Sequence, residues 1–511
     1  MLPSAKKSRA RFLPYVLVGI GLFLYFRTFI FPLTPIYQGD NAPVFLLEAR
    51  RILEGEVIYR DFFEFIFPGT QVLYAFLFKL FGVHLWIPAA MLVALGLVLS
   101  WLMFAISARL IPAESALLPG FLFVTFAFGN ALDATHHWYS TLGVTGALAL
   151  LMDGRSFGRL AGAGALCGLA TCFTQSRGAL ALLGFGVFLI WECYAGRRSW
   201  RWLAKGEGCL VSSFLAVVAP FVGYFAIKVG FGRFFYCTFT FIRKYYSFFD
   251  RNNLGVYMVD VPAYEGILEW PAVAIWLFIH ALVPLAFVLF FVRYWREATA
   301  HREEPWDRLM LVGVTGLASF LAIAPAPNWF KVCTASLPAL ILFVWFVRLE
   351  KPAHRAARMA LWAVGLGAFF LMPVMVQTDW HRRIEGPAGS AAVLEPERYE
   401  KLAWLSLKVR PSEYFFEAGD TEVYFPLGLK NAAEVAFLTP TDYTRPEQVR
   451  RVKEALEKRR VRLVLWSVDL DLTEQIRRRE DHLGPLRAYL GDHYRVVKTF
   501  SDGAQVWERT G

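Results

Sequence analysis

Residues 37–81 read YQGDNAPVFLLEARRILEGEVIYRDFFEFIFPGTQVLYAFLFKLF. The stretch leaves an apolar segment at Gly39-Asp40, runs through a mixed segment from Asn41 to Glu54, stops at Gly55, passes Tyr59-Arg60-Asp61 and turns apolar again after Phe67-Pro68-Gly69. Upstream, Lys6, Lys7, Arg9 and Arg11 precede an apolar run at about 12–31, long enough to cross a hydrocarbon core of roughly 30 Å. The basic flank predicts an inside N-terminus, and no small-residue cleavage site follows, so the run reads as an uncleaved anchor and the 37–81 loop as external. Asp40 then stands just outside a membrane. A carboxylate there is costly unless it faces a wet cavity or a partner, which makes Asp40 a functional candidate; its plainer role is to cap the next helix, and the two roles are compatible.

Within the loop, Val44, Phe45, Leu47, Ile52 and Leu53 alternate with Glu48, Arg50, Arg51 and Glu54 as in a helix lying along a membrane surface, with Gly55 as its stop. The run 69–81 falls short of the roughly 17 to 25 residues a span needs and predicts a second surface helix.

Working outward, apolar runs at about 86–108, 115–131, 137–152, 159–174, 178–195, 209–229, 270–292, 308–324, 331–347 and 357–377 bring the expected spans to about eleven. Composition agrees: of 511 residues 56% are hydrophobic and only 19% charged, well away from a soluble enzyme. The net charge of +11 does not point to nucleic acid, because Lys and Arg concentrate in alternate short loops. Arg155, Arg159, Arg197, Arg198, Arg201, Lys205, Arg293, Arg296, Arg302, Arg308, Arg348, Lys351, Arg355 and Arg358 all fall inside by this count, and the opposite short loops hold only Arg177 and Lys331. Counting 69–81 as a span would invert that pattern. A long external loop from Phe231 to Trp270 carries Arg233, Arg243, Lys244 and Arg251 among Phe and Tyr residues suited to the interface. The six cysteines show neither a disulfide framework nor a zinc spacing.

The expected division is a membrane module, 1–377, and a soluble external domain, 378–511, where the composition becomes that of an ordinary globular protein. Helices at 395–409 and 446–460 and strands at 413–417, 461–468, 494–500 and 504–508 predict a small α/β layer, with no Gly-rich phosphate fingerprint.

Gly39-Asp40, Leu53-Glu54-Gly55, Tyr59, Asp61, Pro68 and Leu80-Phe81-Gly82, in that order, resemble the first external loop of the GT-C membrane glycosyltransferases, among them protein O-mannosyltransferases and lipid A aminoarabinose transferases. The resemblance implies an α-helical polytopic bundle with two surface helices in that loop, a polar C-terminal domain, and Asp40 as the catalytic residue. It further implies transfer of a hexosyl or pentosyl group from a polyprenyl-phosphate donor to a lipid, glycan or protein acceptor, at the external face of a bacterial inner membrane. Asp133 looks like the second acidic residue of the family, although His136-His137-Trp138-Tyr139 departs from the commoner acidic pattern.

Such chemistry needs one base for the acceptor hydroxyl and cations for the departing phosphate. A single carboxylate on one face favours inversion, since retention requires a second carboxylate as nucleophile nearby. Asp61 is the supporting carboxylate, or a solvated turn residue. Tyr59, Glu64, His136 and His137 are candidate acceptor or sugar contacts, and Asp61 or Glu64 could also orient a divalent metal. On a helix, Asp133 would share a face with His136 or His137 and could form a metal pair, but adjacent histidines would diverge; Asp133 as a helix cap is the plainer reading. Arg177, Lys331, Arg243 and Lys244 are candidate donor-phosphate ligands, against headgroup snorkelling or interfacial placement. A transporter or flippase is the alternative function, but it would place charges in mid-span, and here the spans are nearly free of them.

Overall fold

The computed structural model describes residues 3–39, 41–112, 115–249, 251–259, 261–262, 266, 270–348, 351–440, 443–471 and 481–511, with side chains from residue 13; Asp40 lies outside the described residues. In chain order the first helices are α1 (Pro3–Thr28), α2 (Ala42–Leu53), α3 (Gly69–Phe81), α4 (Trp86–Ser107), α5 (Leu118–Leu122), α6 (His136–Met152), α7 (Phe157–Phe173) and α8 (Gln175–Tyr194). There follow α9 (Trp200–Val229), α10 (Phe231–Phe235), α11 (Phe241–Tyr245), α12 (Trp270–Glu297), α13 (Trp306–Ile323), α14 (Trp329–Phe346) and α15 (Pro352–Thr378). Among the described residues, α4, α8, α9 and α12 to α15 are long and apolar enough to cross a membrane, and α1, α7 and the α5 segment supply shorter apolar helices. The chain is a multi-pass membrane protein, with a helix at each position where the sequence predicts a span. Pro220, Pro284, Pro338 and Pro373 sit inside α9, α12, α14 and α15, and α5 continues through a π turn into a 3-10 turn ending at Asn130. Membrane helices tolerate such breaks because neighbouring groups take up the freed backbone bonds.

The chain forms two compact units. The first, Met1–Thr28, Ala90–Val222 and Leu254–Gln377, is the helical bundle, in which α6, α7, α8 and α13 pack in succession and α14 lies against α12 and α13. Small residues let these helices touch. A Cβ on Gly178 would stand 2.2 Å from the Cys167 carbonyl oxygen, so the α7 and α8 backbones are in contact there. One end of the bundle is knitted by ions: Arg109 with Asp153 at 2.5 Å, Arg155 with Glu192 at 3.3 Å and Asp307 at 3.2 Å, and Arg348 with Glu304.

The second unit joins Thr378–Gly511 to two loops, Phe29–Ala89 and Gly223–Asn253. The change of unit after Gln377 falls where the composition changes, but the unit also takes in loops that the sequence reading leaves with the membrane module. A short antiparallel pair, β1 (Phe29–Ile30) and β2 (Thr34–Pro35), opens it, and β3 (Arg382–Gly386) and β4 (Gly389–Val393) form a hairpin. The remaining elements are α16 (Pro396–Ser406), β5 (Tyr414–Glu417), α17 (Tyr424–Leu427), β6 (Lys430–Asn431), α18 (Pro446–Lys458), β7 (Leu463–Trp466), α19 (Gly484–His493), β8 (Tyr494–Thr499) and β9 (Gln505–Arg509). The sheet order is β6-β5-β7-β9-β8, with β5 parallel to both neighbours and the other pairings antiparallel. Phe416, Val452, Leu456, Val464, Leu486 and Leu490 centre its core, and Phe63 from the first loop packs against them.

Helix α2 differs from the expected surface helix. Phe45, Leu46, Leu47, Glu48 and Arg51 are all buried, and the helix packs on α3 and α17. Its amphipathic pattern is satisfied by protein rather than by lipid. Helix α3, at 13 residues, spans about 20 Å, too short for a bilayer core. It keeps Val72, Phe76 and Leu80 exposed on one face, as an interfacial helix does.

Candidate active site

Two groups of predicted site residues emerge, one in each unit. In the bundle, the chain leading into α6 is irregular rather than helical at Asp133, so helical spacing does not govern Asp133, His136 and His137. The N-cap position of α6 is held by Thr135 and not by Asp133, and the Thr135 N–H donates to the Asp133 carbonyl at 2.8 Å. The histidines are the first two residues of α6, both buried, with ring centroids 3.9 Å apart. Two neighbouring rings do converge here, because the helix is only beginning and His137 leans on Phe330 at 5.4 Å.

Arg177 lies in the first turn of α8, beside the tight contact at Gly178, and is only 2% exposed. Snorkelling to a headgroup is therefore excluded. Its Nη1 donates to the His137 carbonyl at 3.1 Å and to the Thr141 hydroxyl, and its Nη2 to Thr334 Oγ1 at 2.8 Å. Nε finds no partner among the described residues. Every acceptor is neutral. Lys331, in the first turn of α14, lies within electrostatic reach of Arg177 and both imidazoles. Its turn is fixed by Asn328, whose side chain accepts from the Lys331 N–H at 3.2 Å, and the Thr334 hydroxyl donates back to the Lys331 carbonyl at 2.6 Å. Asp133, His136, His137, Arg177 and Lys331 thus share one end of the bundle, and Thr141 and Thr334 join them.

In the second unit, Asp61 accepts from the Val57 N–H at 2.7 Å and binds Arg60 through both oxygens at 2.9 and 2.7 Å. The hydrogen bond from Arg60 holds its carboxyl below the usual range. Tyr59 has a positive φ of 69°, is fully buried, donates its hydroxyl to the Ile66 carbonyl at 2.6 Å, and accepts from Arg233 at its own carbonyl. Glu64 is buried, and its Oε1 accepts from the Phe65 and Ile66 N–H groups at 2.6 and 3.0 Å. It also faces the Glu48 carboxyl, which in turn accepts from Gln71 Nε2 at 2.8 Å. Burial pushes both carboxyls up, Glu48 furthest because the Glu64 charge adds to it. Arg243 and Lys244 sit on α11 with exposed side chains.

Sequence reasoning missed Thr141, Thr334, Glu48 and Gln71. The last two carried a signal, as polar residues on otherwise apolar helix faces; the threonines carried none. Among the described residues no three His, Cys, Asp or Glu side chains gather as metal ligands do.

By sequence, the chain matches no protein-family model and no curated protein. By structure, it is similar to ArnT from Cupriavidus metallidurans bound to undecaprenyl phosphate, with TM-score 0.59 and 13% identity over 96% of this chain and 97% of that one. The apo form of that ArnT aligns at 0.60 with 14% identity over 98% of each chain. The archaeal oligosaccharyltransferase AglB from Archaeoglobus fulgidus, in complex with an inhibitory peptide and a dolichol-phosphate, aligns at 0.54 with 12% identity over 98% of this chain and 74% of that one. Bundle and C-terminal sheet fall within one alignment in each case, and the fold of this chain is that of the GT-C membrane glycosyltransferases.

Proposed function

We propose that the protein is an integral membrane glycosyltransferase that moves a sugar from a polyprenyl-phosphate donor to an acceptor at the external face of the membrane. The observation that carries the reading is Arg177. A guanidinium so deeply buried, bonded among the described residues only to neutral oxygens, suits a site that an anion completes. Lys331 adds a second positive charge at the same end. A phosphate on a lipid fits both the charge and the apolar setting, since Arg presents a planar fork to phosphate oxygens and Lys a point charge. The undecaprenyl phosphate on ArnT and the dolichol-phosphate on AglB support that class of donor.

In this reading the acceptor hydroxyl attacks the anomeric carbon as the bond from that carbon to the phosphate oxygen breaks. The proton passes to Asp40 and the lipid phosphate leaves against Arg177 and Lys331. One displacement with one base inverts the anomeric centre. Asp133, His136 and His137 flank the phosphate end, and Asp61 shapes the loop that follows Asp40. The test is turnover of a panel of polyprenyl-phosphate sugars by purified protein. Asp40→Asn should lose about a hundred- to ten-thousandfold in rate with unchanged folding. Arg177→Gln should abolish retention of polyprenyl phosphate. A folded Asp40→Asn protein at the normal rate would move the base elsewhere, and normal lipid-phosphate binding by Arg177→Gln would remove the donor assignment.

A further inference from the structure

The C-terminal domain reaches the segment that leads into Asp40. The Tyr37 N–H donates to the Ala392 carbonyl at 2.8 Å, and the Tyr37 hydroxyl donates to the Glu422 carbonyl at 2.5 Å. Gly39, two residues on, lies directly on the guanidinium of Arg398 from α16. A Cβ built on Gly39 would fall 2.0 Å from both Cζ and Nη2 and 2.5 Å from Nε. No rearrangement of the side chain is cheap, because Arg398 is itself pinned: Nη2 stands 2.7 Å and Nε 2.9 Å from Glu422 Oε1, and Nη1 pairs with Glu395. Glu422 is held on its other oxygen by Lys401 at 3.5 Å, and Lys401 by Asp502 at 3.2 Å. Gly39 does not occupy the left-handed region, so its lack of a side chain answers to this contact and not to backbone conformation.

We propose that Arg398 is a positioning residue, the plate on which the Gly39 backbone rests, through which the C-terminal domain holds the main chain of the first loop at Gly39. The proposal rests on the reading of Asp40 as general base. It gives the C-terminal domain a part in turnover: the Glu395–Arg398–Glu422–Lys401–Asp502 chain of charges fixes a guanidinium face, and the glycine lets the main chain lie flat against it. A base displaced by about 1 Å loses on the order of a hundredfold in rate without any change in the groups that bind the donor.

The experiment is a double-variant cycle on the full-length protein, read as kcat, donor KM and thermal midpoint, with Asp40→Asn alongside. Gly39→Ala should lower kcat by at least about tenfold, towards the hundredfold limit, with donor KM and thermal midpoint near wild type. Arg398→Ala should do the same. Arg398→Lys should not restore the rate, because an ammonium offers neither the flat face nor the fork to Glu422. The two changes together should cost no more than the worse single one, since removing the guanidinium makes room for the methyl group. If Arg398→Ala does not accumulate, Gly39→Ala decides alone. Normal kcat in Gly39→Ala, or losses that multiply in the double variant, would overturn the positioning role while an inactive Asp40→Asn leaves the base assignment standing. An active Asp40→Asn overturns that assignment first, and the positioning role with it.

Discussion

Arg177 shows how a single residue can carry more information in three dimensions than in the sequence. In one dimension it is a basic residue in a loop that should be poor in them, and a headgroup contact explains it equally well. Folded, it is buried beside Gly178 and held by two threonine hydroxyls from different helices. Those hydroxyls aim the guanidinium and, being neutral, do not counter its charge. Thr334→Val removes one acceptor while keeping the shape, and a hydrogen bond to a charged group is worth about 1.5 to 3 kcal/mol, so donor KM should rise roughly ten- to a hundredfold with kcat at saturation little changed. A fall in kcat with unchanged KM would instead place Thr334 in the chemistry. Nothing in the sequence pairs residues 141, 177 and 334. Threonines are common in membrane helices, and only the approach of α6, α8 and α14 makes these two differ from the rest.

Among the elements, α2 marks where a sound pattern met a surface it does not name. Periodicity says that one face is apolar; it does not say whether lipid or protein covers it. Here the cover is α3 and α17, and Glu48 on the buried face meets Glu64, with Arg51, Gln71 and Tyr59 around the pair and Cys237 and Tyr443 facing Glu64. The span positions and four of the five strands of the C-terminal sheet were legible because they depend on local apolar runs; β6, two residues long, was not. The assembly of loops 29–89 and 223–253 into that domain was not, because it rests on contacts such as Phe63 N–H to the Glu434 carbonyl at 2.8 Å and Arg51 Nη1 to the Ala433 carbonyl at 3.0 Å, far apart in the chain. The acid pair has a consequence for pH. Glu48 holds its proton in the folded protein above the ordinary value of 4.5, so the folded state binds more protons than the unfolded one over that interval. The stabilising contribution is complete below 4.5 and is lost as pH rises towards the raised folded value. Thermal midpoints followed upward from pH 4.5 should fall more steeply for wild type than for Glu48→Gln, which keeps a donor towards Glu64 without a titrating proton. Parallel curves would mean that the pair does not share a proton.

At the scale of the molecule, the three chain segments of the second unit impose a condition on the membrane topology. Segments 29–89, 223–253 and 378–511 can pack as one compact body only if they lie on the same side, so the crossings between them must be even in number. Six helices, α4 to α9, separate the first two segments, and four, α12 to α15, separate the second from the third. Counting each of these helices as a crossing meets the condition, and with α1 it gives the eleven crossings expected from the alternation of basic loops. The charge pattern supplies the direction. Arg109, Arg155, Arg348 and their acidic partners are joined at one end of the bundle, in loops that this parity puts inside, whereas Arg177 and Lys331 belong to the opposite end. Two arguments of different origin, packing and positive charge, therefore predict the same topology. Reporter domains fused after Arg201 and after Gly511 should give opposite signals, inside for the first and outside for the second, and a reporter placed after Gly55 should agree with the second. Equal signals from the Arg201 and Gly511 fusions would require an even number of crossings between them, where α9 and α12 to α15 make five; one of those helices would then have to lie along the membrane, and the second unit could not draw its three segments from one side.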